Sequence, residues 1–374
     1  RGGVALFWVR GTFNGANVLQ MLQRLPADQV ESIASEIALD PDVEYAEPDY
    51  VRVALATPTD PCYASASVPT CNGGYQWDLF DPVGGINMPA AWNITTGSSA
   101  IRVAVIDTGA LFNHPDMIGR FVGGYDMISD CAVGNDAQPG PCTWNGTTQQ
   151  PDLASRDNDA SDPGDWITSA ENTGGSSTPP YNYFKDCTTP YPSEDSSWHG
   201  THVAGTIGGI GNNGTGVVGV NWKVEMAGLK FLDASGSGST SNAAAAVRYA
   251  ADMGIQVTNN SWGGSGYSAI LDSAISYAAG KNSIFVSAAG NAASNDDTTP
   301  DYPSDYTWNN MIVVAATDSA GNLASFSNYG PVNVDIGAPG VNIYSTLPGG
   351  GYGYKSGTSM ATPHVTGVVA LMQD

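Results

Sequence analysis

Three separated stretches hold residues that could act together as a nucleophilic centre. Asp107 ends the apolar run VAVIDTG, His199 stands in SWHGTHVAGT, and Ser359 in SGTSMATPH. A serine hydroxyl is a poor nucleophile until a neighbouring base takes its proton. Neutral imidazole can do this near neutral pH. A buried carboxylate fixes the imidazole tautomer and stabilises the imidazolium that forms. His199 lies among glycines and small residues, a setting too bare to bury it, at the mouth of a predicted helix. Ser359 follows a glycine turn into another predicted helix. The free N–H groups and positive dipole end there can stabilise an oxyanion.

These side chains need a scaffold, and the pattern around them describes one. Apolar runs at 101–109, 226–233, 255–263, 283–291 and 311–318 alternate with helical patterns at 241–254 and 268–282. Strands alternating with helices imply a mostly parallel sheet covered on both faces, an α/β fold. Ligands bind such sheets beyond the carboxyl ends of the strands, where the polar endings DTG, NNSWGG and AAGN fall. Residues 14–37 read as helical and DPDVEYAEPDYVRVAL as a turn and strand. A stretch rich in Pro, Thr and Ser (56–74) reads as a linker, and 127–196 as a long surface insertion with Asp157, Asp159, Asp162 and Asp165 close together. There are no internal repeats.

The order Asp, His, Ser, together with SWGG (Ser261–Gly264) and AAGN (Ala288–Asn291), resembles the subtilisin-like serine proteases, or subtilases, over residues 84–374. The resemblance implies a three-layer subtilisin-like fold and an endopeptidase working through an acyl-enzyme. Asp107 would orient His199, His199 would serve as general base and then acid, and Ser359 would attack. Asn291 would share the oxyanion with the Ser359 N–H. Ser261, Trp262, Gly263, Ala289 and Gly290 would wall the first specificity pocket, whose glycines suggest room for large apolar or aromatic side chains. Trp262, where many relatives carry a smaller aliphatic residue, would either narrow a subsite or cover the surface. Gly236, Ser237 and Gly238 would lie on an edge strand that pairs with extended substrate. Asp116 and Asn213 resemble calcium ligands of the family, and Asp157, Asp162 and Asp165 form a second candidate set; a plain solvated acidic loop is the alternative for the latter. His202, one turn beyond His199, reads as structural, since HxxH without a third ligand is a poor zinc site. His364 reads as packing and His114 as a loop residue. The glycine-rich GGIGNNGTG has no lysine and no phosphate-loop spacing. Residues 1–55 resemble part of an inhibitory α+β propeptide acting in cis, followed by a linker and mature N-terminal segment over 56–83 and a C-terminally truncated catalytic domain over 84–374.

Bulk properties agree. The 374 residues, 41% hydrophobic, support a substantial core. A formal net charge of -23 disfavours nucleic acid and anionic membranes as partners, and no apolar run is long enough to span a bilayer. Protein or peptide substrates, a secreted location and a monomeric state are expected. Five cysteines without a CxxC pair exclude zinc-ribbon and thioredoxin readings. Cys62/Cys71 and Cys131/Cys142 could each close a short loop, as an oxidising compartment permits; other pairings among Cys131, Cys142 and Cys187 are equally open. The chain starts at Arg1 and stops in an apolar helical pattern, so it is expected to be a piece of a longer protein. Rival readings are an esterase-like hydrolase, whose G-x-S-x-G elbow is missing around Ser359, and a catalytically silent subtilase fold acting as a binding module.

Overall fold

The computed structural model describes residues 4–13, 15–23, 25–49, 57–64, 71–128, 160, 197–232 and 236–374. It divides into a small unit, Arg1–Ala54, and a large one, Leu55–Asp374. In the small unit, β1 (Leu6–Gly11) pairs antiparallel with β2 (Asn17–Met21), and α1 (Ala27–Ile37) follows. The expectation of helix across 14–37 is therefore corrected: only the stretch after Pro26 is helical. Asn17–Met21 is drawn into a ladder by β1 across a turn closed by the Thr12 N–H on the Ala16 carbonyl (2.8 Å). The strand expected after Asp40 does not form through Asp49, and its remainder lies outside the described residues.

The large unit runs α2 (Met88–Trp92), β3 (Arg102–Asp107), β4 (Phe121–Asp126), α3 (His199–Gly208), β5 (Glu225–Lys230), α4 (Thr240–Asp252), β6 (Val257–Asn260), α5 (Ala269–Gly280), β7 (Ile284–Ala288), β8 (Met311–Thr317), β9 (Ile336–Pro339), β10 (Ile343–Leu347), β11 (Gly351–Lys355) and α6 (Thr358–Met372). Seven strands form one parallel sheet in the order β4-β5-β3-β6-β7-β8-β9, and β10-β11 make a separate hairpin. The side chains of β3 show why the middle strands read as unbroken apolar runs. Val103 and Val105 enter a core with Val203 and Ile207 of α3 and Met360 and Ala370 of α6. Ala104 and Ile106 point the other way, into a core with Ala246 and Val247 of α4 and Leu271 and Ile275 of α5. Both faces are covered, so both sets are apolar. The result is three layers, as expected.

The stretch read as a linker is not an open tether. Cys62, Tyr63, Cys71, Trp77 and Leu79 are buried, and a disulfide joins Cys62 to Cys71. Gln76 exchanges hydrogen bonds with the Val218 backbone in both directions. Cys131, Cys142 and Cys187 lie outside the described residues.

Candidate active site

The end of β3 and the start of α3 meet at the sheet's carboxyl edge. Asp107 is the last residue of β3 and is fully buried; His199 is the first of α3, with 23% of its side chain exposed. His199 Nδ1–H donates to Asp107 Oδ1 at 2.8 Å and reaches Oδ2 at 3.0 Å. A carboxylate only accepts, so Nδ1 carries a proton, and in the neutral ring Nε2 then holds the lone pair. The Thr108 N–H donates to Asp107 Oδ1 at 2.8 Å, and the Gly200 N–H to Thr108 Oγ1 at 3.1 Å. The helix start can approach this closely because residue 200 is glycine: a Cβ there would lie 2.1 Å from the Gly109 carbonyl oxygen and 3.1 Å from Asp107 Oδ1. Lys230, paired in register with Asp107, is buried and donates from Nζ to the carbonyls of Thr108 (2.6 Å) and Leu232 (3.0 Å). It pins the chain just past the aspartate.

Ser359 is the second residue of α6, partly buried. Its Oγ donates to the Ser261 carbonyl at 3.0 Å, and Ser261 Oγ donates back to the Ser359 carbonyl at 2.9 Å. Asn291 lies beside it. Its Oδ1 accepts from the Thr358 N–H (2.9 Å) and Thr358 Oγ1 (3.0 Å), which leaves Nδ2 as the amide's donor end. Gly290 is tied to the same threonine, its N–H donating to Thr358 Oγ1 at 3.2 Å.

A cleft of about 500 Å³ gathers His199 with Gly236, Ser237 and Gly238 on one side and Ser261, Trp262 and Gly263 on the other. Ala289 and Gly290 lie outside that cavity, flanking Asn291; Ala289 is buried and Gly290 has φ +114°. Trp262 stands at the cleft with its ring packed on the core. It lines the cleft and packs edge-on against Phe231 (4.9 Å between ring centres) and Phe285 (6.4 Å).

The other histidines are held away from the cleft. His202 is fully buried, with Nε2–H shared between the carbonyls of Ile343 and Gly353, both at 3.1 Å; burial pushes its pKa down to about 3. His114 lies in a loop, as expected, and is buried. Its Nε2–H donates to the Gly351 carbonyl, and its ring meets Tyr352 edge-on. His364 Nε2 contacts Asp78 Oδ2 at 2.9 Å, both buried, so it links α6 to the segment preceding α2.

Asp116 and Asn213 are brought together: Asn213 Nδ2 donates to Asp116 Oδ1 at 2.9 Å, and the Val217 N–H to Oδ2 at 2.9 Å. Asp60, which sequence reasoning missed, completes the cluster by accepting from the Asn212 N–H (2.6 Å) and the Asn213 N–H (3.3 Å). Both carboxylates are buried, and burial raises the pKa of each, that of Asp60 to about 6. Asp157, Asp162 and Asp165 lie outside the described residues. Among the described residues no group of three or more His, Cys, Asp or Glu side chains has metal-holding geometry, so a cation here would depend on amide and backbone oxygens as well.

A family model described as the subtilase family matches residues 98–374. A thermophilic serine proteinase of Bacillus sp. (strain AK1) is 36% identical over 93% of this chain and 67% of its own length. Thermitase of Thermoactinomyces vulgaris is 38% identical over 77% of this chain and 79% of its own. An extracellular protease of Xanthomonas campestris is 36% identical over 98% of this chain, which spans 58% of that protein. Among solved structures, a protease of Pseudoalteromonas arctica covers 85% of this chain, and 87% of itself is covered, with TM-score 0.66 and 34% identity.

Proposed function

The chain belongs to the subtilase family of serine-type endopeptidases, and from that premise we propose that it is a secreted enzyme cutting protein or peptide chains through an acyl-enzyme on Ser359. The observation that carries this reading is the buried Asp107 carboxylate holding Nδ1–H of His199 at 2.8 Å, because it presents a basic Nε2 at the mouth of the cleft. The Ser359 hydroxyl turns from the Ser261 carbonyl to His199 Nε2 and gives up its proton as Oγ bonds to the substrate carbonyl carbon. The carbonyl oxygen becomes an oxyanion, which accepts hydrogen bonds from Asn291 Nδ2 and the Ser359 N–H at the start of α6. His199 then protonates the leaving amine as the C–N bond breaks. A water molecule, deprotonated by His199, attacks the ester; its collapse frees the acid and restores the serine. Secretion is supported by the names of relatives such as the Xanthomonas extracellular protease and by the Cys62–Cys71 disulfide.

Calcium is proposed as a structural ion at Asp60, Asp116 and Asn213. Two buried carboxylates that take part in none of the ion pairs among the described residues support this; Asn213 turns N–H donors to both, and its Oδ1 accepts from the Thr215 N–H, so an ion would take the carboxylates once the Asn213 amide has turned. Hard oxygen ligands of this kind suit calcium. Bound there, it would supply charge neutralisation to the loop 212–217. The small unit is proposed as an inhibitory propeptide.

The test is fluorophosphonate labelling followed by peptide mapping. Label on Ser359, lost in Ser359→Ala together with casein hydrolysis, is the expected result. Absence of label on folded protein freed of residues 1–55 would favour the silent binding module instead.

A further inference from the structure

Two glycines in the segments beside the nucleophile face one carboxylate. Ser261–Gly264 and Ala289–Asn291 flank Ser359 through the Ser261 and Asn291 contacts described above. Gly263 and Gly290 in these two segments both look onto Asp301. A Cβ on Gly290 would lie 2.8 Å from Asp301 Oδ2, and one on Gly263 3.6 Å from Asp301 Oδ1. Neither glycine carries a side chain that would shut the carboxylate off. The position is built, not accidental. Gly264 and Tyr302 exchange both backbone hydrogen bonds at 2.8 Å, which fastens the Asp301 loop to the SWGG segment. Asp301 Oδ1 accepts the Tyr302 N–H at 2.9 Å, and its own N–H donates to Asp305 Oδ2 at 2.7 Å. The side chain is only partly buried.

Charge points the same way. Asp301 takes part in none of the ion pairs among the described residues. Asp296, Asp297 and Asp305 crowd behind it closely enough that Asp305, Asp301 and Asp297 each act electrostatically on Asp296. A partly buried carboxylate close to two glycines of the segments that flank Ser359, with further carboxylates near it, attracts a long cationic side chain and repels an anionic one.

We propose that Asp301 is the specificity-determining residue of this protease and that it selects lysine or arginine immediately before the bond cut. The inference rests on the serine-protease reading above and replaces the apolar or aromatic preference expected from the glycines alone. In the bound complex the ammonium or guanidinium takes the place of solvent at the Asp301 carboxylate, forming a charge-assisted hydrogen bond.

The experiment uses the full chain and peptide p-nitroanilides that differ only in the residue before the scissile bond: Arg, Lys, Phe, Leu and Glu. Fluorophosphonate labelling runs in parallel. The parent should cleave the Arg and Lys substrates with kcat/KM at least about tenfold above Phe, and Glu worst. Asp301→Asn should lower the Arg and Lys values by at least about tenfold while Phe stays within about twofold. The ranking by the parent stands as a test even where the variant fails to fold. A labelled parent that prefers Phe or Leu overturns the inference alone, as does an Asp301→Asn change that lowers all substrates equally. A folded chain that neither labels nor cleaves after residues 1–55 have been removed from it overturns the protease reading and this inference with it.

Discussion

Asn291 earns its proposed role through what its oxygen does. With Oδ1 held twice by Thr358, the amide is fixed with Nδ2 as its donor end. Asn291→Ala should therefore cut kcat by about 10²–10³-fold with KM nearly unchanged; a loss confined to KM would mean that it only binds substrate. Asp296 makes a prediction of a different kind. It is buried, its Oδ1 accepts from Asn328 Nδ2 at 2.9 Å, and its Oδ2 has no hydrogen-bond partner. Burial, then repulsion from Asp305 and Asp301, pushes its pKa up to about 7. The native state therefore binds this proton more tightly than the unfolded chain does, and the stability it contributes is lost as pH rises from about 4 through 7. His202 acts with the opposite sign: its depressed pKa costs stability as pH falls below the ordinary imidazole range. The two slopes partly cancel in the parent, so the informative quantity is a difference. The Tm of Asp296→Asn relative to the parent should become more favourable between pH 5 and pH 8. A pH-independent difference would refute the repulsion argument.

At the scale of elements, the site depends on how closely α3 can start against the end of β3. Gly200→Ala would place a methyl 2.1 Å from the Gly109 carbonyl oxygen. α3 must then back away and carry His199 off Asp107. Since a displacement of about 1 Å can cost about 10²-fold in rate, kcat should fall by at least that much, and Tm should drop as well. Retained activity would mean the helix can tilt without moving the histidine. The sequence announced these elements unequally, for physical reasons. β3, β5, β6, β7 and β8 lie inside the sheet and are buried on both faces; apart from β6, whose VTNN is mostly polar, they are largely apolar, so their runs stand out. β4 is an edge strand broken by Gly123 and Gly124, and β9 is four residues ending in Pro339; neither carries a readable pattern. The same contrast holds for the site. Asp107, His199, Ser359 and Asn291 sit at turns whose glycines and helix starts are visible in one dimension. Asp60, Lys230 and Asp301 matter through residues far away in the chain, and their significance appears only when those neighbours are in place.

For the whole molecule, a net charge of -23 makes every buried carboxylate expensive, and Asp60 and Asp116 are both buried beside Asn213. Burying charge without a counter-charge is costly, so a cation that binds the native state alone should stabilise it by an amount that grows with its concentration, about 2.7 kcal/mol at 100 times Kd. Adding calcium should therefore raise Tm by several degrees, and EDTA should remove the gain. Asp60→Asn and Asp116→Asn should each abolish most of the response. High sodium chloride should weaken it without eliminating it, because screening acts on the diffuse charge more than on a buried pair. An unchanged Tm on EDTA treatment would dispose of the ion. A response that survives both substitutions would move it to the acidic stretch containing Asp157, Asp162 and Asp165. In that case the loop 212–217 would be held without an ion, by its hydrogen bonds to Asp60 and Asp116 and those it accepts from the Thr59 and Cys62 N–H groups.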